Sequence, residues 1–199
     1  MDVSGRIHTC WSAGHPCWHD EIFLYFHALQ ASVSSYHSWY SDSMTVQIRT
    51  ANAEDAQSLA ELLKDIGWFE SFKNEPIDTA TRRVRRHIEQ CLADNSHSVF
   101  VAQTPDGAIL GYSSVHWLPY LFLQGPEGYV SELFVRESAR GQGVGKELLR
   151  KIETEAQARG CSRLSLINLR NRESYMRQFY VKAGWEERSE AANFIYQIR

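Results

Sequence analysis

A chain of 199 residues with 43% apolar side chains can bury one proper core, and its length argues for a single domain. Its formal charge of -3 gives no basic field for nucleic acid, and no apolar run reaches the roughly 18 residues a membrane span needs. Four cysteines without paired spacing (Cys10, Cys17, Cys91, Cys161) and no charged-then-apolar signal at the start point to a soluble protein of a reducing cytoplasm.

Residues 1–43 read differently from the rest. They hold five of the eight histidines and three of the six tryptophans, with one basic charge, Arg6, against four acids. His8, Cys10, His15, Cys17 and His19 lack the Cys-x-x-Cys pair and distant second pair of a structural zinc site, so no metal is expected. "EIFLYFHAL" could form a short helix but has no caps. The segment is a leader of unassigned role, either flexible or preceding a true start at Met44, and the folded domain is expected over 44–199.

From Met44 the pattern becomes regular. Thr45 to Ala51 alternates as a strand, and Ala56, Leu59, Leu62 and Leu63 then recur at helical spacing behind first-turn acids. A second helix is predicted over Thr79 to Ala93, with Val84, His87, Ile88 and Cys91 on one face. "SVFVAQ" and "AILGYSSVHW" flank the turn Thr104-Pro105-Asp106-Gly107 and read as a hairpin. Gly128 to Val135 is the next strand. Three glycines, a helix through Ala158, the run Arg163 to Leu169, a helix over Glu173 to Ala183 and a last strand pattern, "NFIYQI", complete the chain. The order is that of an α/β protein with a mixed sheet, in which one helix crosses over between the strands around 132 and 166.

The glycines at 141, 143 and 145 stand directly before a long helix, where their backbone freedom is costly without a purpose. A helix N-terminus with unpaired N–H groups suits a phosphate. A P-loop is excluded because Arg140 stands at its first glycine position and Glu147 follows Lys146. Gly-x-Gly-x-Gly also departs from the dinucleotide fingerprint. "ELFVRESARGQGVGKELL" resembles the coenzyme A signature of the GNAT superfamily of N-acyltransferases, with Arg140, Gly143 and Gly145 filling Arg/Gln-x-x-Gly-x-Gly/Ala. "LFV" before it, "GKELL" after it and "FYVKAGW" further on match other family elements in order, and the resemblance covers Met44 to Arg199.

The resemblance implies a central, mostly antiparallel sheet with a splayed parallel pair and flanking helices. It implies an acetyl-CoA-dependent N-acetyltransferase in which the amine attacks directly in a ternary complex. Main-chain groups of Leu133, Phe134 and Val135 would pair with the pantetheine arm, the Phe134 N–H holding the developing oxyanion. Arg140, Gly141, Gln142, Gly143, Val144, Gly145 and Lys146 would cradle the pyrophosphate, glycine leaving its approach open. Tyr180, four residues before Gly184, holds the family's proton-donor position, and a phenol of pKa about 10 suits an acid. Glu132 shares a strand face with Phe134 and is a candidate base or anchor for the ammonium. Asn171 is a candidate cofactor contact, although Glu173 occupies the usual asparagine position, and a plain helix cap is the other reading.

Trp117 to Gly128 and Trp68 to Asn74 are expected to wall the acceptor site and to favour a small amine with an apolar body. The expected partner is thus a small-molecule amine, with no nucleic acid and no membrane; a homodimer is compatible. The alternative is a non-catalytic sensor that holds an acyl-CoA without turning it over.

Overall fold

The computed structural model describes residues 45–198, which belong to a unit spanning Met44–Arg199. The leader, with the stretch "EIFLYFHAL" read as a possible helix and the His and Cys residues weighed for zinc, lies outside the described residues. Five strands form one sheet in the order β1-β2-β3-β4-β5: β1 is Gln47–Thr50, β2 His97–Gln103, β3 Ile109–Leu118, β4 Glu127–Val135 and β5 Arg163–Leu166. β1 to β4 pair antiparallel and β4 pairs parallel to β5, so the sheet is mixed as expected. A parallel neighbour demands a crossover, which the helix α4, Val144–Ala158, supplies.

Alternation sends the two faces of each strand to different cores. Val99, Val101 and Tyr112 pack with Leu59, Leu62, Val84 and Ile88 from two helices, α1 (Ala56–Ile66) and α3 (Ile77–Ala93). Phe100, Val115, Trp117 and Val130 point the other way, onto Val144, Leu148 and Ile152 of α4. Burying a side chain such as Leu62 or Leu148 contributes about 1.5–3 kcal/mol each. The helices begin and end where the sequence supplies the chemistry. Asn52 accepts from the Glu54 N–H while Asp55 accepts from the Asn52 N–H, and Gly67 closes α1 at φ 68°.

Asp55 also ties β1 to α1. Its two oxygens take both Arg49 Nη groups at 2.7 Å, and only 6% of the residue is exposed. Burial pushes this carboxyl up, but the Arg49 fork and the Asn52 N–H more than offset it and leave the pKa below the usual value. The pair therefore stabilises the fold above the unfolded carboxyl's pKa of about 3.9, and that contribution is lost as pH falls through the lower folded value. Asp55→Ala is expected to cost about 3 kcal/mol at neutral pH, because it strands a half-buried guanidinium. Urea melts of mutant and parent should converge in acid.

Three sequence expectations are corrected. The helix expected over Glu173 to Ala183 is two short ones, α5 (Glu173–Met176) and α6 (Phe179–Lys182), broken at Gln178 with φ 55°. The break sets the Phe179 ring against the backbone of Gly145, a packing demand that local propensity does not contain. "NFIYQI" forms no strand with any of the described residues, and Phe194, Ile195, Tyr196 and Ile198 are exposed: alternation names a face but does not by itself supply a partner. β5 stops at Leu166 rather than Leu169. One four-residue helix, α2 (Glu70–Lys73), was not expected.

Candidate active site

β4 pairs with β5 only from Glu127 to Val130, yet it runs on to Val135. Below that point the two parallel strands are clamped, since the buried Glu127 carboxylate accepts from both Arg163 Nε and the Ser165 hydroxyl of β5. Above it, residues 131–135 keep β3 on one side and, among the described residues, have no strand on the other. Every second peptide group there faces the open side. The departure coincides with a bulge: Ser114 pairs with Glu132 and Val115 with Val130, so Ser131 is an extra residue that bends β4. Leu133, Phe134 and Val135 thus lie along the splayed edge, with the Phe134 ring packed against Trp68, Phe69 and Tyr112, each 5.7 Å away. The Arg172 guanidinium stacks 3.7 Å over Trp68.

The glycine loop follows β4 through a 3-10 turn at Glu137–Ala139. Gly141 and Gly143 take φ 78° and 85°, and a Cβ added at either would meet nothing within 4 Å. Their requirement for glycine is therefore conformational, and it leaves open space before the loop. Lys146 and Glu147 N–H groups both donate to the Gly143 carbonyl, whereas the amides from Gly141 to Gly145 donate to no acceptor among the described residues. Five such amides leading into a helix are an arrangement that can hold a phosphate. The Val144 side chain is buried in the core, leaving only its main chain to that surface. Gln142 Nε2 pins the loop to the Ser138 carbonyl at 2.8 Å, Arg140 lies 3.6 Å from Glu173, and Lys146 is exposed.

At Gly145 three elements converge. The point where its Cβ would stand is 3.3 Å from the Phe179 ring and 3.7 Å from Leu133, bringing α6, α4 and the splayed strand together. Tyr180 follows Phe179, its ring 6.0 Å from Trp185, and burial raises its pKa above the ordinary phenol value while Arg177 pulls the other way. It is a neutral acid at physiological pH. Asn171 is exposed and caps nothing; the hydrogen bond that steadies α5 is instead from the Ser174 hydroxyl to Asn168, at 2.9 Å.

Glu132 sits on the sheet face beneath α3. It borders a cavity of about 450 Å³ lined also by His87, Gln90 and Cys91 of α3, by His97, Ser114 and His116, and by Ser131. Burial raises the Glu132 pKa, and the neighbouring Tyr112 hydroxyl opposes this. That hydroxyl is itself buried outside hydrogen-bond geometry of any partner among the described residues, and burial together with the Glu132 charge lifts its pKa far up. A raised carboxyl in a cavity is the property a general base needs. Cys91 is held as a thiol, because burial and the charges of Glu132 and Asp94 raise its pKa. Neither sequence segment expected to wall the acceptor site lines this cavity. Cys91, His97, Ser114 and His116 were not singled out for it; their only signal was the strand register that sets 114 beside 132.

Among the described residues no group of three His, Cys, Asp or Glu side chains is gathered to hold a metal, and no helix is long and apolar enough to cross a membrane. Residues 61–185 match the acetyltransferase (GNAT) family. This chain belongs to that family. It is 31% identical over 121 residues to an L-methionine sulfoximine/L-methionine sulfone acetyltransferase of Pseudomonas paraeruginosa, spanning 59% of this chain and 67% of the relative. It is 29% identical over 122 residues to an aminoglycoside N(6')-acetyltransferase type 1 of Stenotrophomonas maltophilia, spanning 59% and 72%. An aminoglycoside acetyltransferase from an uncultured soil metagenomic sample shares the fold, with TM-score 0.64 and 19% identity over 79% of this chain and 99% of that one. The sequence resemblance and the mixed sheet thus agree, and the GNAT chain is an acyltransferase of the N-acetyltransferase class.

Proposed function

We propose that this GNAT protein transfers an acetyl group from acetyl-CoA to the primary amine of a small molecule by direct attack in a ternary complex. The observation that carries it is the splay of β4 beyond Val130, which lies between the glycine loop and the Glu132 cavity. The loop amides, with Arg140, Lys146 and Asn171 near them, hold the coenzyme's phosphates, and Leu133 to Val135 offer main-chain partners to its arm. Acetyl-CoA supplies the activated acyl carbon. Glu132 removes a proton from the incoming ammonium, so that its nitrogen lone pair bonds to that carbon. The Phe134 N–H faces the oxyanion, Tyr180 gives its proton to the sulfur as the C–S bond breaks, and the second proton that the nitrogen sheds as the amide forms restores the Tyr180 phenol. No acyl group needs to rest on the protein, which agrees with the un-ionised Cys91.

Glu132 sets the pH profile. Its working form is the carboxylate, so kcat/KM should rise with pH through a value above the ordinary carboxylate range, the direction burial dictates. Glu132→Gln should remove this limb and lower kcat by about 10²-fold or more. A retained limb would assign the base elsewhere. The proposed catalytic domain is 44–199, and a chain lacking residues 1–43 should keep a cooperative melt and thiol release; loss of either would place the leader in the folded core.

A further inference from the structure

One buried polar group beside the site has no part in the steps above. Tyr112 of β3 is 4% exposed, and its hydroxyl is buried with no partner in hydrogen-bond geometry among the described residues. Such a hydroxyl is costly unless another state of the molecule completes it. The strand register names the group that can. Tyr112 stands opposite Phe134 and Ser114 opposite Glu132, so Tyr112 and Glu132 share a sheet face as diagonal neighbours, roughly 7–8 Å apart at Cα and within reach of an aromatic side chain. The ring is held in place: it lies 5.7 Å from the Phe134 ring and packs in the core that α1 and α3 cover.

The other titratable groups facing Glu132 are engaged or turned to solvent. They are His87 and Cys91 of α3, Asp94 after it, His97 of β2 and His116 of β3. His87 is exposed, Cys91 is a thiol, and Asp94 accepts from the Ser96 hydroxyl at 2.6 Å. His97 Nδ1 lies 2.5 Å from Ser96 Oγ, and His116 Nε2 lies 3.0 Å from Ser131 Oγ. Burial and the neighbouring His97 lower the His116 pKa, which leaves that ring neutral at pH 7. Resting on the acetyltransferase reading above, we infer that Tyr112 is a positioning residue for the base: its hydroxyl donates to the Glu132 carboxylate once that group has lost its proton, and fixes it at the cavity wall to meet the ammonium. A donor to the anion favours the anion, so Tyr112 works against burial and keeps Glu132 charged to lower pH. Tyr112 keeps its own proton, since burial and the Glu132 charge lift its pKa far up.

Tyr112→Phe removes the donor and keeps the ring. Burial of Glu132 is then unopposed, and the carboxyl takes up its proton at higher pH. With the full chain, acetyl-CoA and kanamycin or methionine sulfoximine as the amine, the acid limb of kcat/KM should move to higher pH. The rate on that limb should fall about tenfold, the loss of one bond to a charged acceptor, while the alkaline plateau changes by less than about threefold. A double variant separates this from the histidines: on a Glu132→Gln background, Tyr112→Phe should add less than about twofold at any pH. Two further arms need no turnover. In protein carrying carbon-13 at the glutamate carboxyls, the signal absent from Glu132→Gln should titrate at higher pH in Tyr112→Phe than in the parent. In the parent with labelled tyrosine Cζ, one signal should follow the Glu132 titration and stay still in Glu132→Gln, a measurement that needs no Tyr112 variant to fold. A carboxyl titration that moves while the rates show no Glu132 limb would uphold the pair and overturn Glu132 as the base. An unmoved carboxyl titration, a parent with no tyrosine signal that follows Glu132, or a fall in rate that is uniform across pH would overturn the positioning role and leave Tyr112 as packing.

Discussion

Gly143→Val should weaken coenzyme A binding about tenfold to a hundredfold while the thermal melt shifts little. Two physical effects act together. At φ 85° a β-branched residue is forced out of its allowed backbone region, and the loop must rearrange. The rearrangement tilts the amides of 142–145 away from a common point, and losing one or two charge-assisted hydrogen bonds accounts for that range at 1.4 kcal/mol per tenfold. The fold should survive, because a side chain at 143 would meet nothing within 4 Å. Gly145→Ala is the useful contrast: its methyl would press on the Phe179 ring at 3.3 Å, so it should perturb α6 and turnover more than phosphate binding. Calorimetry with free CoA checks both variants, and unchanged affinity in Gly143→Val would remove the phosphate-cradle reading.

Tyr180→Phe should lower kcat by about 10²-fold to 10⁴-fold with little change in acetyl-CoA affinity, since the ring still packs beside Phe179 and Trp185 and only the proton is lost. Burial raises the phenol's pKa, so the parent keeps its proton across the neutral and mildly alkaline range. A departing thiolate with a pKa near that of cysteine, about 8.5, needs less help as the solution becomes alkaline. Mutant and parent rates should therefore draw together as pH rises. A phenylalanine variant with the parental kcat at every pH would make Tyr180 a packing residue.

Much of this was legible because period and spacing are local properties. The glycine triplet, the strand before it and the helix after it stand within a few turns of one another, and their backbone demands are written in the residues themselves. The cavity was not legible in that way. Ser114 and His116 look like ordinary strand residues until the one-residue bulge at Ser131 fixes which of them faces Glu132. That register depends on contacts between distant segments. The split of the last helix at Gln178 is the same kind of failure: the stretch favours a continuous helix, and a contact between Phe179 and Gly145 overrides it. "NFIYQI" erred the other way, with a strand's alternation and, among the described residues, no strand beside it. The helix-cap reading of Asn171 is the part that position decided: its side chain is at the surface and caps nothing, while Asn168 accepts the bond from Ser174.

The measurement that tests the central claim most directly is a single-turnover reaction with protein in excess over acetyl-CoA, quenched and read by mass spectrometry in the presence of kanamycin. Direct transfer predicts acetylated amine and free CoA appearing together in equal amounts, with no acetyl group on the protein at any time. An acetylated protein that forms before the product, or thiol release without acetylated amine, would contradict it.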